Sequence, residues 1–296
     1  MTAEDLRRVK TYEAIKTYRY LRVGIIGAVV LLAASIGIEI AKAGCVQTSI
    51  SAYYYTPARS IFVGAMFVVG LALIVYKGRS QWEDIWLNLA GMLSPVVAVA
   101  PTSDIGTCRS VAPLLTETLP AWVVPSIDNN LWALWIAGVA GLVVAVAVWL
   151  MDRNDPKRRP EVDPGTSRSL LLTAVLLAAA LLVILVFPDF VHTRAHGFAA
   201  IAFFGCLLGA IVVNVIHHQG EDERAWRRWY MFVAAGMVSG GFIGVFKIFD
   251  PFHTFVLEAV EIGLFATYWI VQTVENWDEK VAARHSEEAV YVEFAG

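Results

Sequence analysis

The final apolar run of the chain carries polar and acidic residues whose spacing could build a site for a proton, a cation or a polar ligand. Steps of three, four and seven residues separate six of them: Thr254, Glu258, Glu261, Tyr268, Gln272 and Glu275. Such steps return to one face of an α-helix. Because a carboxylate near the centre of a bilayer is costly, we expect Glu258 and Glu261 to face protein or water and not lipid. Two interpretations remain open: the glutamates join helices by hydrogen bonds, or they line a cavity that opens on the outer side.

Polar residues at the outer ends of other apolar runs could complete such a cavity. Polar helix ends occur in any membrane protein, but His, Asp and Arg beside a buried acidic stripe favour a functional site. We expect the ligand-binding residues to be Ser51, Tyr54, Arg59, Asp104, His196, Glu258 and Glu261.

Histidine spacing raises the alternative of a metal site. His192 and His196 are four residues apart, which suits one face of a helix, and His253 with a nearby acid could complete a zinc site. Nothing in the spacing requires a metal. The expectation is therefore no cofactor, with zinc as the alternative.

Eight apolar runs must hold these residues in place, and they define the class of the protein. Apolar residues make up 57% of the chain and charged residues 17%, and a membrane span needs about 20 apolar residues. The sequence predicts an all-α fold, a polytopic integral membrane bundle of about eight transmembrane helices. The runs cover 23–43, 59–76, 85–101, 130–151, 169–188, 196–216, 229–249 and 252–274. We expect a cytoplasmic juxtamembrane segment (1–22), one transmembrane domain (23–275) and a cytoplasmic tail (276–296).

The basic residues predict the orientation. With both termini in the cytoplasm, the 23 Lys and Arg residues lie in inner segments except for Lys42, Arg59, Arg109, Arg194 and Lys247. The positive-inside rule favours this arrangement and a location in the cell membrane. Basic inner loops next to a bilayer are expected to contact anionic lipid headgroups, so membrane lipids are the expected partners and nucleic acid is not.

Small residues and cysteines add two structural expectations. Cys45 and Cys108 both fall in outer loops, and an oxidising compartment allows them to form a disulfide, with two free thiols as the alternative. Gly236, Gly240 and Gly244 recur every four residues in the seventh run. This spacing predicts a helix face that a neighbouring helix approaches closely.

One stretch resembles known families. Residues 49–64 read SISAYYYTPARSIFVG and resemble the start of a group of bacterial multi-pass membrane proteins of unknown function, with a Ser-Ile-Ser-x-Tyr-Tyr-Tyr-Thr signature followed by Arg59 and Phe-Val-Gly. His196 with the following GFAAIAFF, and Glu258, extend this resemblance more weakly. The Ser-Ile-Ser-Ala element is also distantly similar to the damage-regulated autophagy modulator family. That resemblance implies lipid handling and membrane trafficking, and about six helices.

A second resemblance concerns membrane hydrolases of the alkaline ceramidase and adiponectin-receptor type, which carry Ser, Asp and several His in a zinc site. Here the HxxxH pair precedes the sixth run and does not lie in the last one. Three hypotheses follow. The first is a membrane protein that binds or senses a lipid or small ligand in an outer-facing polar cavity. The second is a metal-dependent membrane lipid hydrolase, and the third is a proton-coupled transporter that uses Glu258 and Glu261.

Overall fold

Helices account for the regular structure in the computed structural model, which describes residues 3–108, 119–154, 164–220, 223–246 and 253–277. These ranges contain nine α-helices and one short 3-10 turn, Ser51–Tyr55. In chain order the helices are α1 (Ala3–Ala43), α2 (Arg59–Val75), α3 (Gln81–Val99), α4 (Val123–Asn154), α5 (Pro164–Val186), α6 (Pro188–Thr193), α7 (Ala195–His217), α8 (Arg224–Phe246) and α9 (His253–Glu275).

Eight of these helices are long, and they correspond to the eight apolar runs. Five are long and apolar enough to cross a membrane: the Lys16–Ala43 part of α1, α4, the Thr166–Val186 part of α5, α7, and the Thr254–Glu275 part of α9. α2 is apolar but has only 17 residues. α3 carries Glu83 and Asp84 in its first turn, and α8 begins at Arg224 with two further arginines close behind. The described residues therefore form a helical bundle whose apolar helices are compatible with a membrane-embedded protein.

Six of the long helices share one core. α3 packs against α2 and α7, α8 packs against α7 and α9, and α1 packs against α2 and α9. The largest fully buried side chains of this core include Leu73, Leu87, Leu207, Tyr230 and Trp269. α4 and α5 pack on each other beside this core. The buried residues of α4, which are Val123, Ile127 and Leu131, lie in its first turns, and the Thr166–Val186 part of α5 has no buried residue. The apolar surface of this hairpin is what a lipid-facing pair of helices presents.

Glycines allow the closest helix contacts. A Cβ added at Gly240 would lie 2.5 Å from Glu261 Oε1, and one added at Gly236 would lie 2.9 Å from the Leu264 side chain. The predicted packing of this glycine face is confirmed, and its neighbour is α9. α2 and α3 form a second close contact, which was not predicted from the sequence. A Cβ added at Gly70 of α2 would lie 2.8 Å from the Gly91 carbonyl oxygen of α3.

Several helices begin before the predicted apolar runs, within more polar sequence. α1 begins at Ala3, 20 residues before the first apolar run, because the preceding segment is rich in residues with high helix propensity such as Leu, Arg, Lys and Glu. α4 begins at Val123 and not at 130. α5 begins at Pro164, and proline suits the first turn of a helix because its missing N–H has no partner there anyway.

α9 connects the two ends of the bundle. Glu258 and Glu275 lie 17 positions apart on this helix, which corresponds to about 25 Å at the α-helical rise. We call the end that holds the 3-10 turn the Ser51 end, and the opposite end, which holds the start of α3, the Arg79 end. Each end contains a polar cluster that uses a glutamate of α9.

Candidate functional site

Glu258 lies at the Ser51 end, where the 3-10 turn surrounds its carboxylate with donors. The backbone N–H groups of Ile50 and Ser51 donate to Oε2 at 2.5 and 3.1 Å, and Ser51 Oγ lies 3.1 Å from Oε1. The first N–H groups of a helical turn have no partner within the turn, so they are free to bind an acidic side chain. This contact connects α9 to a segment more than 200 residues away in the sequence.

His196 completes this cluster from the start of α7. Its Nε2 lies 2.9 Å from Ser51 Oγ, and its Nδ1 lies 2.8 Å from the Ala100 carbonyl oxygen and 3.2 Å from that of Val97. A carbonyl oxygen can only accept, so Nδ1 must carry a proton and donate it. The end of α3 therefore orients the ring so that Nε2 faces Ser51. We call Ser51, His196 and Glu258 the Ser51 site.

The Ser51 hydroxyl has one proton and two neighbours that could take it. If it donates to Glu258, Nε2 of His196 must be protonated and donate to Ser51 Oγ. If it donates to Nε2, Oε1 of Glu258 must be protonated and donate to Ser51 Oγ. The two arrangements hold the same number of protons and differ only in where the charge lies. A proton can therefore pass between His196 and Glu258 through the hydroxyl.

Arg59 occupies a separate position at the same end. Its guanidinium carbon lies 4.4 Å from the ring centroids of both Tyr54 and Trp122, and one N–H donates to the Tyr54 hydroxyl at 2.8 Å. Both ring contacts are cation–π interactions, which fix the guanidinium without neutralising it. Within the described residues no carboxylate forms an ion pair with Arg59.

The Arg59 side chain lines an open cleft with a volume of about 340 Å³. One part of the lining is polar and another is apolar, and the cleft lies where α2, α3 and α4 meet. We call it the Arg59 cleft; its lining residues are Tyr54, Arg59, Ser60, Val63, Ala98, Val99 and Asn130.

Asp104 belongs to a loop that supports this end. Its carboxylate accepts from the Thr48 hydroxyl at 2.6 Å and from the Gly106 N–H at 2.9 Å. A disulfide between Cys45 and Cys108 joins the same loop to the end of α1. Gly106 adopts a φ of +80°, and a Cβ there would overlap the Gln47 side chain, so glycine is required at this position.

Tyr55 also stabilises this loop through a hydrogen bond. Its hydroxyl donates to the Thr102 carbonyl oxygen at 2.6 Å. Burial, with a smaller contribution from the neighbouring Tyr54, raises the pKa of the Tyr55 phenol well above its ordinary value. The phenol therefore stays a neutral donor, which fits a structural role.

Glu261 is buried between α8 and α9 and is separate from the Ser51 site. It is 6% exposed, and its Oε2 has no hydrogen-bond partner. In the part of the chain that the structure describes, no basic side chain forms an ion pair with it. A buried carboxylate without a cation or a donor is strongly disfavoured, so this group is favoured in its protonated form.

The three histidines of the metal alternative have different surroundings. Nε2 of His192 lies 2.7 Å from Asp128 Oδ1, and both ring nitrogens of His196 have protein partners. The side chain of His253 lies outside the described residues, as do Arg109, Lys247 and Asp250. Among the residues that are described, no three His, Cys, Asp or Glu side chains are arranged to hold a metal ion.

The Arg79 end contains a polar cluster that the sequence analysis did not identify. Glu275 Oε1 lies 2.7 Å from Arg79 Nη2 and 2.5 Å from His218 Nε2, and Tyr230 donates to Oε2 at 2.5 Å. Burial lowers the pKa of His218, but the Glu275 carboxylate and the Asn214 carbonyl together raise it above the ordinary value. We call Arg79, His218, Tyr230 and Glu275 the Arg79 cluster.

A second network lies directly beside this cluster. Glu83 is 1% exposed, and its Oε1 accepts from Asn214, Tyr268 and Gln272 at 2.8 to 3.1 Å. Its Oε2 accepts from the Arg79 N–H at 2.8 Å. A signal was present in the sequence, because Ser80 and Glu83 have the spacing of a capping box, and Ser80 Oγ does accept from the Glu83 N–H. We call Glu83, Asn214, Tyr268 and Gln272 the Glu83 network.

The seven predicted site residues thus fall into separate groups: the Ser51 site, the Arg59 cleft with Tyr54, the loop with Asp104, and the buried Glu261. Comparison of the chain with models of known families, with curated proteins and with solved structures gives no significant match. The function must therefore be inferred from these groups of residues.

Proposed function

We propose that this protein is a polytopic membrane protein that binds an anionic lipid in the Arg59 cleft, on the outer side of the cell membrane. The observation that carries the proposal is the Arg59 guanidinium, which is held between Tyr54 and Trp122 and has no carboxylate partner among the described residues. A guanidinium fixed in this way keeps N–H donors for a phosphate or carboxylate group.

The shape of the cleft favours an amphiphilic ligand. Val63, Ala98 and Val99 offer an apolar wall to an acyl chain, while Ser60 and Asn130 offer polar groups beside Arg59. Trp122 is exposed at this end, and tryptophan is enriched where a membrane protein meets the headgroup layer. A headgroup at Arg59 with its chain along α2 and α3 would satisfy both kinds of surface.

The membrane topology is part of this proposal. α2, α3 and α8 pack against helices that are long and apolar enough to cross a bilayer, so all eight long helices are proposed to cross it. The basic residues then place both termini in the cytoplasm and the Ser51 end outside. The distant resemblance to autophagy modulators, with its link to lipid handling, agrees with this function and stays a prediction.

Lipid binding can be measured directly on the purified protein by native mass spectrometry. We expect phosphatidylglycerol to be retained in preference to phosphatidylcholine. Replacing Arg59 with Gln removes charge-assisted hydrogen bonds and should raise the Kd for phosphatidylglycerol by about 10- to 100-fold. Arg59→Lys should keep part of the affinity, because it keeps the charge and loses the planar donor array.

Lys42 provides the matched control. It is an exposed cation at the same end, at the end of α1, and it lies 3.7 Å from Glu39, outside the cleft. Lys42→Gln should leave phosphatidylglycerol binding unchanged. Equal affinity in the wild type and in Arg59→Gln would refute the assignment of the cleft.

The hydrolase hypothesis has less support from the geometry. Both nitrogens of His196 are engaged, and His192 contacts Asp128. The transporter hypothesis has a specific observation in its favour: among the described residues, the buried Oε2 of Glu261 on α9 has no hydrogen-bond partner.

A further inference from the structure

Three polar groups lie along the inner face of α9, and each has a proton that it can gain or lose. The Ser51 site lies at one end, Glu261 lies one turn further along, and the Glu83 network with the Arg79 cluster lies at the other end. The spacing of the α9 residues is that of one helix face, and Glu261, Tyr268 and Gln272 are all buried. Buried proton-accepting groups aligned across a membrane helix are the pattern of a proton relay.

The group at each end can exchange a proton with its surroundings. In the Ser51 site, the hydroxyl transfers a proton between His196 and Glu258. In the Arg79 cluster, Nδ1 of His218 donates to the Asn214 carbonyl at 2.6 Å, so Nε2 shares the remaining proton with Glu275. Arg79, which is partly exposed, pairs with the same Glu275 carboxylate and connects the cluster to the Glu83 network through its backbone N–H, which donates to Glu83 Oε2.

Glu261 is positioned as the intermediate carrier. It lies three residues from Glu258, a rise of about 5 Å along the helix, and its buried Oε2 has no partner in the described part of the chain. From α8, Gly240 lies directly against its carboxyl group, since a Cβ added there would be 2.5 Å from Glu261 Oε1. A carboxyl group that only joined two helices would have a donor or acceptor for its buried oxygen, and among the described residues Oε2 has none.

An aromatic layer separates Glu261 from the second half of the path. Phe265 lies between Glu261 and Tyr268 on α9, and its ring centroid is 6.2 Å from that of Phe203 on α7. Both rings are buried. Glu261 and Tyr268 are seven residues apart, about 10 Å along the axis, which is too far for direct proton transfer. This layer therefore acts as the barrier of the path.

We propose that protons cross this protein along the inner face of α9, with Glu261 as the carrier and the Phe203–Phe265 layer as the barrier. The proton enters at the Ser51 site, passes to Glu261, crosses the layer when the rings separate enough for water to enter, and leaves through the Glu83 network and the Arg79 cluster. No bond other than those to the moving proton forms or breaks. The inference is independent of lipid binding in the Arg59 cleft.

The experiment uses the purified full chain in liposomes that contain a pH-sensitive dye. A potassium gradient with valinomycin sets the membrane potential, and the rate of internal pH change reports proton flux. We expect wild-type flux above that of protein-free liposomes. Glu261→Gln keeps the shape of the side chain, but its amide cannot release and take up a proton as a carboxyl group does. Its flux should therefore fall to the protein-free rate. Glu261→Asp should retain part of the flux, and Phe265→Ala should increase it, because the barrier is thinner.

Glu39→Gln is the matched control, because Glu39 is also a buried glutamate but lies on α1, where it pairs with Lys42. Its flux should equal that of the wild type. Thermal unfolding of each variant separates loss of flux from loss of fold. A wild-type rate equal to that of protein-free liposomes overturns the proposal, and so does an unchanged rate in a folded Glu261→Gln protein.

Discussion

Ser51 Oγ lies 2.9 Å from Nε2 of His196. The two residues are 145 positions apart in the sequence, and the same hydroxyl also reaches Glu258 on a third element. One hydroxyl thus joins the 3-10 turn, α7 and α9 at the same point. The protonation state of Glu258 therefore affects the stability of this junction as well as its function.

Glutamine at position 258 should reproduce the protonated form of the glutamate. Its amide oxygen can accept from the N–H groups of Ile50 and Ser51, while its NH₂ donates to Ser51 Oγ. We expect Glu258→Gln to change the free energy of unfolding by less than about 1 kcal/mol. Glu258→Ala leaves buried donors unpaired and should cost about 2–3 kcal/mol. Thermal unfolding in detergent compares the two, and equal losses would contradict this account of the Ser51 site.

Stability should depend on pH through His218. Its pKa is raised in the folded protein, so the folded state binds this proton more tightly than the unfolded state. The stabilisation is therefore complete below the unfolded pKa of about 6.5 and is lost as the pH rises through the folded value. We expect the unfolding temperature in detergent to fall with rising pH above neutrality. The slope should be smaller in His218→Asn, and an identical slope in both proteins would remove His218 from the explanation.

A leucine at position 240 should disrupt the contact between α8 and α9. The added side chain would enter the space that the Glu261 carboxyl and Leu257 occupy, and overpacking of this kind costs about 1–3 kcal/mol. Gly241→Leu is the control, because Gly241 has no neighbour within 4 Å of an added Cβ. Unfolding measurements should show a loss for Gly240→Leu alone. Equal stability of the two variants would mean that the contact is not tight.

The Cys45–Cys108 bridge should be found in purified protein by peptide mass spectrometry without reductant. It joins residues separated by 63 positions, and a bridge over a loop of that length contributes roughly 2–4 kcal/mol. Replacing both cysteines with Ala should lower stability by about that amount. Cys206 is buried and free, so it serves as an internal reference for alkylation. Complete alkylation of Cys45 and Cys108 under denaturing, non-reducing conditions would exclude the bridge.

Reporter fusions should test the orientation. Gly78 lies between Lys77 and Arg79, and Gly220 lies four residues before Arg224, both at the Arg79 end, while Gly106 lies in the loop at the Ser51 end. We expect a cytoplasmic signal at Gly78 and Gly220 and an outer signal at Gly106. The opposite pattern would place the Arg59 cleft in the cytoplasm and would contradict the proposed topology.

Periodicity allowed the face of α9 and the glycine face of α8 to be predicted, because both properties belong to a single helix. It did not allow the partners to be predicted. The donors to Glu258 come from residues more than 200 positions away, and helical spacing contains no information about which segment lies opposite.

Glu83 is a second residue whose partners could not be predicted from helical spacing. It lies in the first turn of α3, and its spacing from Ser80 is that of a capping box. Its three further donors come from α7 and α9, so only the packing of three helices reveals a buried network. Arg59 was predicted as a site residue from its position at the outer end of an apolar run, whereas its placement between two rings depends on Trp122, which lies beyond the third helix.

The position of α9 has a consequence for how the protein is made. Hydrogen bonds join Ile50 to Glu258 and Arg22 to Asn276 across 208 and 254 positions, and α9 follows the other eight helices in the chain. In the proposed topology, a ribosome therefore releases Arg22, Ser51 and Glu83 well before their partners between residues 258 and 276 exist. Until α9 arrives, these polar groups must be shielded by water, by lipid headgroups or by the insertion machinery, since an unpaired polar group in hydrocarbon costs several kcal/mol. During biogenesis the chain thus carries unpaired polar groups until α9 packs into the bundle. A chain that stops before residue 253 should be a substrate for membrane proteases.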